Sequence, residues 1–229
     1  MKRSWAGEVR NVSLLVAIAV NAEGYREILG ICEGAKEDKA GWSGFLKHLE
    51  RGLTGVRLII SDACLGLAES AADYFPDAGW QRCVVHYYRN IFSHVPRPKM
   101  REVAAMLKAI HASEDIAAAR DKALRVVAKL RALRLTKAAE LVETGVAETL
   151  AYYAFPEAHW RRIRTNNPLE RILREIRRRS RVVGAFPDGQ SALNLAAARL
   201  RYIAGSEWST KRYLNMELLK DQQMSAITA

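Results

Sequence analysis

The sequence predicts an α/β protein with some antiparallel pairing, broken by a long all-helical stretch. Three observations lead there. Up to about residue 95, short β-branched runs alternate with helical patterns. Residues 96–158 are alanine-rich and heptad-like, with no strand pattern among them. A helix dense in arginine then follows, with one more helix and a polar tail.

Taken in order, "VSLLVAIAV" (Val12–Val20) is rich in β-branched residues and ends at the turn signal "NAEG", so it reads as a buried strand. "YREILGICEG" (Tyr25–Gly34) reads as its hairpin partner. Trp42, Phe45, Leu46 and Leu49 fall at helical spacing before Gly52. "GVRLII" (Gly55–Ile60) is a short apolar strand, and "LAESAADYF" after it is helical. "WQRCVV" (Trp80–Val85) reads as a further strand running into "HYYRNIF". In the helical stretch, Met106, Leu107 and Ile110 share one face, as do Val126, Val127 and Leu130. The organisation expected is residues 1–95, an α-helical insertion over 96–158, closing helices over 159–205 and a tail over 206–229.

The chain has 229 residues, of which 49% are hydrophobic and 27% charged, so a packed core is expected and wholesale disorder is not. Its 36 Lys and Arg against 25 Asp and Glu leave +11, which favours a polyanionic partner. Between Arg161 and Arg181 there are nine arginines, no lysine and two acids, a local +7. A charge run can be no more than a solvated helix face. The exclusive use of arginine, whose planar fork suits phosphate, tilts the reading towards nucleic acid. Cys32, Cys64 and Cys83 form no disulfide pattern and suggest a reducing cytoplasm. The longest apolar run, Val12–Val20, is too short to span a bilayer and does not have the flanks of a signal peptide.

Asp62 directly follows a buried strand, where α/β folds gather ligands at the strand carboxyl ends, although an Asp there also serves as a cap or turn residue. In "TNNPLERILREIRRRSR" (Thr165–Arg181), Asn167 reads as a helix cap, Pro168 as the first helical residue and Glu170 as the third, the capping-box place. An ionised carboxylate at a helix start also suits a hard cation, so the two roles are compatible. Leu169, Ile172, Leu173 and Ile176 form a core-facing stripe, with Arg171, Arg174, Arg177 and Arg178 off it. Cys83 and His86 make a C-x-x-H spacing. Structural zinc would need two further ligands, and no second tight pair exists among Cys32, Cys64, His94, His111 and His159.

The blocks "GVRLIISDACLGL", "FPDAGWQRCVVHYYRNIFSHVP" and "AFPEAHWRRIRTNNPLERILREIRRRSRVVGAFPDGQSALNL" closely resemble the bacterial insertion-sequence branch of the Mutator-like transposases, over nearly the whole chain. The resemblance implies an RNase H-like mixed-sheet core, its first strand incomplete here, interrupted by an all-α insertion before the final catalytic helix. It also implies a DDE triad holding two Mg²⁺ ions, with Mn²⁺ as substitute, for cleavage of DNA and strand transfer. By motif match Asp62 is the second acid and Glu170 the third, and Cys83 and His86 match a supporting C-x-x-H signature. Double-stranded DNA, both element ends and target, is then the partner. Arg161, Arg162, Arg171, Arg174, Arg177, Arg178 and Arg179 are the candidate contacts, in a homo-oligomeric assembly on the bacterial nucleoid in the cytoplasm.

In full-length relatives the first Asp precedes the position matched by Lys2, and here only Glu8 lies near. The expectation is therefore an N-terminally truncated core, lacking the DNA-end-binding segment and inactive alone. Two other readings compete with it. One is a non-catalytic DNA-binding or assembly module that interferes with full-length transposase. The other is an RNase H-type nuclease, disfavoured by the helical insertion.

Overall fold

The computed structural model describes residues 2–5, 8–11, 13–34, 39–64 and 66–228, with side chains from residue 13 to residue 222. Val12, and the side chain of Glu8, lie outside the described residues. The elements of the first part are β1 (Lys2–Trp5), β2 (Glu8–Asn11), β3 (Ser13–Val20), β4 (Arg26–Gly34), α1 (Lys39–Glu50), β5 (Leu58–Ser61), α2 (Leu67–Tyr74), β6 (Gly79–Arg82) and α3 (Val84–Phe92). After them come α4 (Met100–Ile110), α5 (Ile116–Ala132), α6 (Thr136–Gly145), α7 (Glu157–Ile163), α8 (Asn167–Val183), α9 (Gly189–Ala204), α10 (Glu207–Thr210) and α11 (Met216–Thr228). The fold is mixed α/β, mostly helical, and its described strands form three two-stranded pairs.

Two compact units divide the chain, one of residues 1–56, 64–77 and 166–229, the other of residues 57–63 and 78–165. In the first, β3 and β4 form the expected antiparallel hairpin, with a register shift between Ala17 and Ile18. Asn21 shapes its turn, its Oδ1 accepting from the N–H groups of Glu23 and Tyr25. α8 and α9 pack on this hairpin through Ile172, Ile176, Ala196 and Leu200 around Val16, with Leu169 and Leu173 partly buried beside them. The stripe read from the sequence is thus the stripe that docks. The segment before α11 folds back on the turn. Gly24 C=O accepts from the N–H groups of Tyr213 and Leu214, and the Arg26 guanidinium lies over the Trp208 and Tyr213 rings at 4.8 and 4.9 Å.

In the second unit, β5 and β6 pair in parallel, from Leu58↔Gly79 to Ser61↔Arg82. The sequence places the second strand as far as Val85, but it ends at Arg82 and Val84 and Val85 already belong to α3. Hydrogen bonding explains the difference. Cys83 N–H donates to Ser61 C=O, and Val84 N–H donates to Arg164 C=O, a partner outside the ladder. From Val95 onward the unit is helical, as expected. Leu107, Ile110, Val126, Val127 and Leu130 are buried, and Ala119, Ala123, Ala138 and Ala139 are buried with them, their small side chains allowing close helix approach.

A buried polar network ties β6 to these helices. Gln81 is wholly buried; its amide N–H donates to Thr149 C=O and its Oε1 accepts from Tyr152 N–H. His111 lies 2.8 Å from Thr149 Oγ1 through Nε2 and 2.9 Å from the Tyr88 hydroxyl through Nδ1. Arg164 Nη1 donates to the His111 carbonyl. Burial, chiefly, lowers the His111 pKa from 6.5 to about 4.

Two predictions follow from this packing. Gly24 has φ +92°, and a Cβ there would come within 2.0 Å of Leu214 O, a backbone atom that cannot swing aside. Gly24→Ala is expected to cost about 2 kcal/mol or more of unfolding free energy in urea; an unchanged midpoint would contradict this docking of the C-terminal segment. As for pH, the unfolded chain protonates His111 near 6.5 and the folded chain only near 4. The stability that neutral His111 contributes is therefore complete above 6.5 and lost as pH falls towards 4. The expected loss is on the order of 3 kcal/mol, and His111→Gln is expected to flatten the stability–pH slope over that interval by one proton.

Candidate active-site acids and nucleic-acid surface

Asp62 follows β5 directly, in the second unit. Because β5 and β6 run parallel, their carboxyl ends lie side by side, and α3 starts one residue after β6. Cys83 is the N-cap residue of α3 and is fully buried, so its thiol faces core. His86 stands one turn along, with Nδ1 2.5 Å from Asp62 Oδ1. The C-x-x-H spacing therefore marks a strand-to-helix junction: the first residue anchors the helix start and the fourth reaches the acid. The backbone at the acid is held by Ser61, whose Oγ donates to Asp62 C=O at 2.9 Å and accepts from Trp80 Nε1–H at 2.8 Å. The Asp62 side chain keeps 46% of its surface exposed, enough for a ligand to reach it.

Glu170 belongs to the first unit. The helix start differs by one residue from the sequence reading. Asn166 is the N-cap, Asn167 the first helical residue and Pro168 the second, and Glu170 N–H makes the first intrahelical bond, to Asn166 C=O. Glu170 therefore sits fourth and falls outside the capping-box place, which requires the third. Proline explains the shift, since it is tolerated anywhere in the first turn where no N–H is needed. The Glu170 carboxylate instead faces Arg177, Oε2 to Nη2 3.5 Å, two turns along the same helix. It is in the first turn, where the helix dipole favours negative charge.

Arg171, Arg174, Arg177, Arg178 and Arg179 are all exposed on α8, and Arg161 and Arg162 are exposed on α7. Ion pairs divide them. Glu175 accepts from Arg178 Nε and Nη2 at 3.0 Å each and from Arg179 Nε at 3.3 Å, and Arg199 of α9 reaches it at 3.1 Å. The Arg178 hydrogen bonds above all hold the Glu175 carboxyl down to about 2. Neither Glu175 nor Arg199 stands out in the sequence. Glu175 is a lone acid in an arginine run, and Arg199 is 24 positions away. What brings the pair together is the packing of α9 on α8, which the spacing within either helix does not reveal.

Asp62 and Glu170 offer hard carboxylate oxygens, donors that suit Mg²⁺ or Mn²⁺. Among the described residues no group of three or more His, Cys, Asp or Glu side chains stands together as a metal site. No described helix is long and apolar enough to cross a membrane.

The chain thus presents an acid at the end of a parallel strand in the second unit and an acid opening an arginine helix in the first. The model of the transposase family named Mutator matches residues 2–210, and the chain belongs to that family. It is 42% identical over 219 residues to the transposase for insertion sequence element IS1081 of Mycobacterium tuberculosis, covering 93% of this chain and 52% of that protein. The transposase for ISRM5 of Rhizobium meliloti is 33% identical over 224 residues, covering 97% and 56%. That for IS256 in transposon Tn4001 of Staphylococcus aureus is 32% identical over 213 residues, covering 91% and 54%. The chain thus spans about half the length of these relatives.

The hydrogen bond from Trp80 is the support nearest Asp62 that can be removed without touching the acid. Trp80→Phe is expected to cost about 1 kcal/mol, read as a lowered urea midpoint; no change would show that Ser61 is held by the ladder alone.

Proposed function

We propose that the chain is the catalytic-core segment of a DDE transposase, acting in cleavage and transfer of DNA strands for an insertion element. Residues 1–95 and 159–205 then make up an RNase H-like core, and residues 96–158 its helical insertion. The observation that carries the reading is Asp62, a half-exposed carboxylate at the carboxyl end of a parallel strand, against His86. Relatives described as insertion-sequence transposases support the same reading.

In this reading Asp62 and Glu170 are the second and third acids of the triad, and each is a carboxylate able to bind a divalent cation. Such a cation supplies Lewis-acid activation of water, and later of a DNA 3′-OH, for in-line attack on a phosphodiester. The chain's own residues do the rest. Ser61 and Trp80 hold the backbone at Asp62, His86 restricts the carboxylate to one orientation, and the net positive charge of α7 and α8 attracts DNA phosphates. A second reading, a DNA-binding or assembly module that interferes with full-length transposase, is favoured by the arginine surface of α8, which binds phosphate without a metal.

The test combines metal binding and cleavage. Mg²⁺ is expected to raise the melting temperature of the chain, and Asp62→Asn and Glu170→Gln are each expected to reduce that rise. Equal stabilisation of parent and variants would remove both acids from the metal site. Nicking of supercoiled plasmid in Mn²⁺, abolished by Asp62→Ala, would favour the catalytic reading; DNA binding with no nicking would favour the module.

A further inference from the structure

We infer that α8 sorts its arginines, so that Arg174, Arg177 and Arg181 form a track for the phosphates of one DNA strand while Glu175 withholds Arg178 and Arg179 from it. This rests on the DNA-binding reading above and deepens it.

Helix geometry comes first. At 3.6 residues per turn, Arg174, Arg177 and Arg181 all project within about 40° of the direction of Glu170. Arg178 projects about 80° away and Glu175 about 140° away, on the side towards α9. The three arginines of the row are exposed, and they leave the acid in a line along the helix. From Arg174 to Arg181 the helix rises about 10.5 Å, which matches about three phosphate-to-phosphate steps of one strand at roughly 3.4 Å each along the duplex axis.

Charge pairing separates the groups. Arg178 already presents its fork to the two oxygens of Glu175, a bidentate arrangement that competes directly with phosphate. Arg179 shares the same carboxylate, and Arg199 closes the cluster from α9. Ionised across the working pH range, Glu175 engages all three guanidinium groups at its two oxygens. Arg174 and Arg181 make no ion pair with any described residue. Arg177 is intermediate. Its 3.5 Å approach to Glu170 joins a guanidinium that is 58% exposed, a weak pair that a phosphate can replace. The exposed arginines are therefore not equivalent, although the sequence makes them look so.

The experiment measures the affinity of the 229-residue chain for a labelled 20-base-pair duplex by anisotropy, from 50 to 300 mM NaCl. Circular dichroism and melting of each variant show that it is folded. Arg174→Ala and Arg181→Ala are each expected to flatten the log–log salt slope by about 0.9. Arg179→Ala is expected to leave the slope as in the parent. Glu175→Gln is expected to steepen it and to tighten binding, by releasing Arg178 and Arg179. The double variant Arg178→Ala/Arg179→Ala gives the same comparison if Glu175→Gln unfolds, and is expected to keep the parental slope. Slopes that fall equally for Arg174→Ala and Arg179→Ala, or that do not respond to Arg174→Ala and Arg181→Ala, would overturn the sorting while leaving DNA binding intact. No binding by the parent at 50 mM NaCl would instead overturn the DNA-binding reading itself, and the track with it.

Discussion

The first unit depends on how little of α8 is available for burial. Six of its seventeen residues are arginine, so only a narrow strip can enter a core. Ile172 and Ile176, with Leu169 and Leu173 at the margin, fill that strip and meet the β3–β4 hairpin around Val16. A stripe this narrow tolerates little rotation of the helix, because any turn about its axis would drive an arginine into the apolar contact. The same restriction fixes the direction in which Glu170 and the arginine row point. α9 then completes the packing through Ala196 and Leu200, and its Arg199 answers the one acid that lies on its side. Burial and charge presentation on α8 are one constraint seen from two sides.

The second unit solves a different problem, that of joining a short parallel strand pair to a bundle of alanine-rich helices. Two four-residue strands bury little on their own. Gln81, on the inner side of β6, is used as a connector instead of an apolar residue. Its amide bonds the 3₁₀ segments at Thr149 and Tyr152, which lie 68 and 71 positions away. His111 extends the same network between Tyr88 and Thr149. Buried polar groups paired in this way contribute modestly when satisfied and cost heavily when one partner is lost. Asp62 inherits its fixed position from this arrangement, since β5 is held by β6 and β6 by Gln81.

Much of the element order was legible in the sequence because it rests on local periodicity: the hairpin, α1, the helices after Val95 and the buried stripe of α8 all came from spacing alone. The failures share a cause. Val84 and Val85 look like strand residues, and what makes them helical is a hydrogen bond from Val84 N–H to Arg164, eighty positions on. The register of Glu170 was one residue out because an Asn-Asn-Pro start offers two caps of nearly equal quality and proline is tolerated at either of the first two helical positions. Asp62 was legible as a candidate by its place after an apolar run, but its contact with His86 needed the parallel pair to be known. Pairing of the described strands goes no further than three separate ladders, so the mixed α/β class stands on observation and the RNase H-like core is a proposal.

Counting charges gives a misleading measure of how strongly a surface attracts DNA. The local +7 of residues 161–181 treats Glu175 as subtracting one charge. Its geometry does more, because one carboxylate engages Arg178 and Arg179 and draws in Arg199 from outside the run. Long-range potential is set by the sum, and therefore by +7 whichever arginines are paired. Close phosphate contact is set instead by which guanidinium forks are unengaged, since a fork holding a carboxylate must exchange it before taking a phosphate. In the proposed DNA-binding reading, encounter and final fit would thus be governed by different subsets of the same residues. An acid within an arginine run can in this way set which guanidinium forks are open to a phosphate, at a cost of only one unit of net charge.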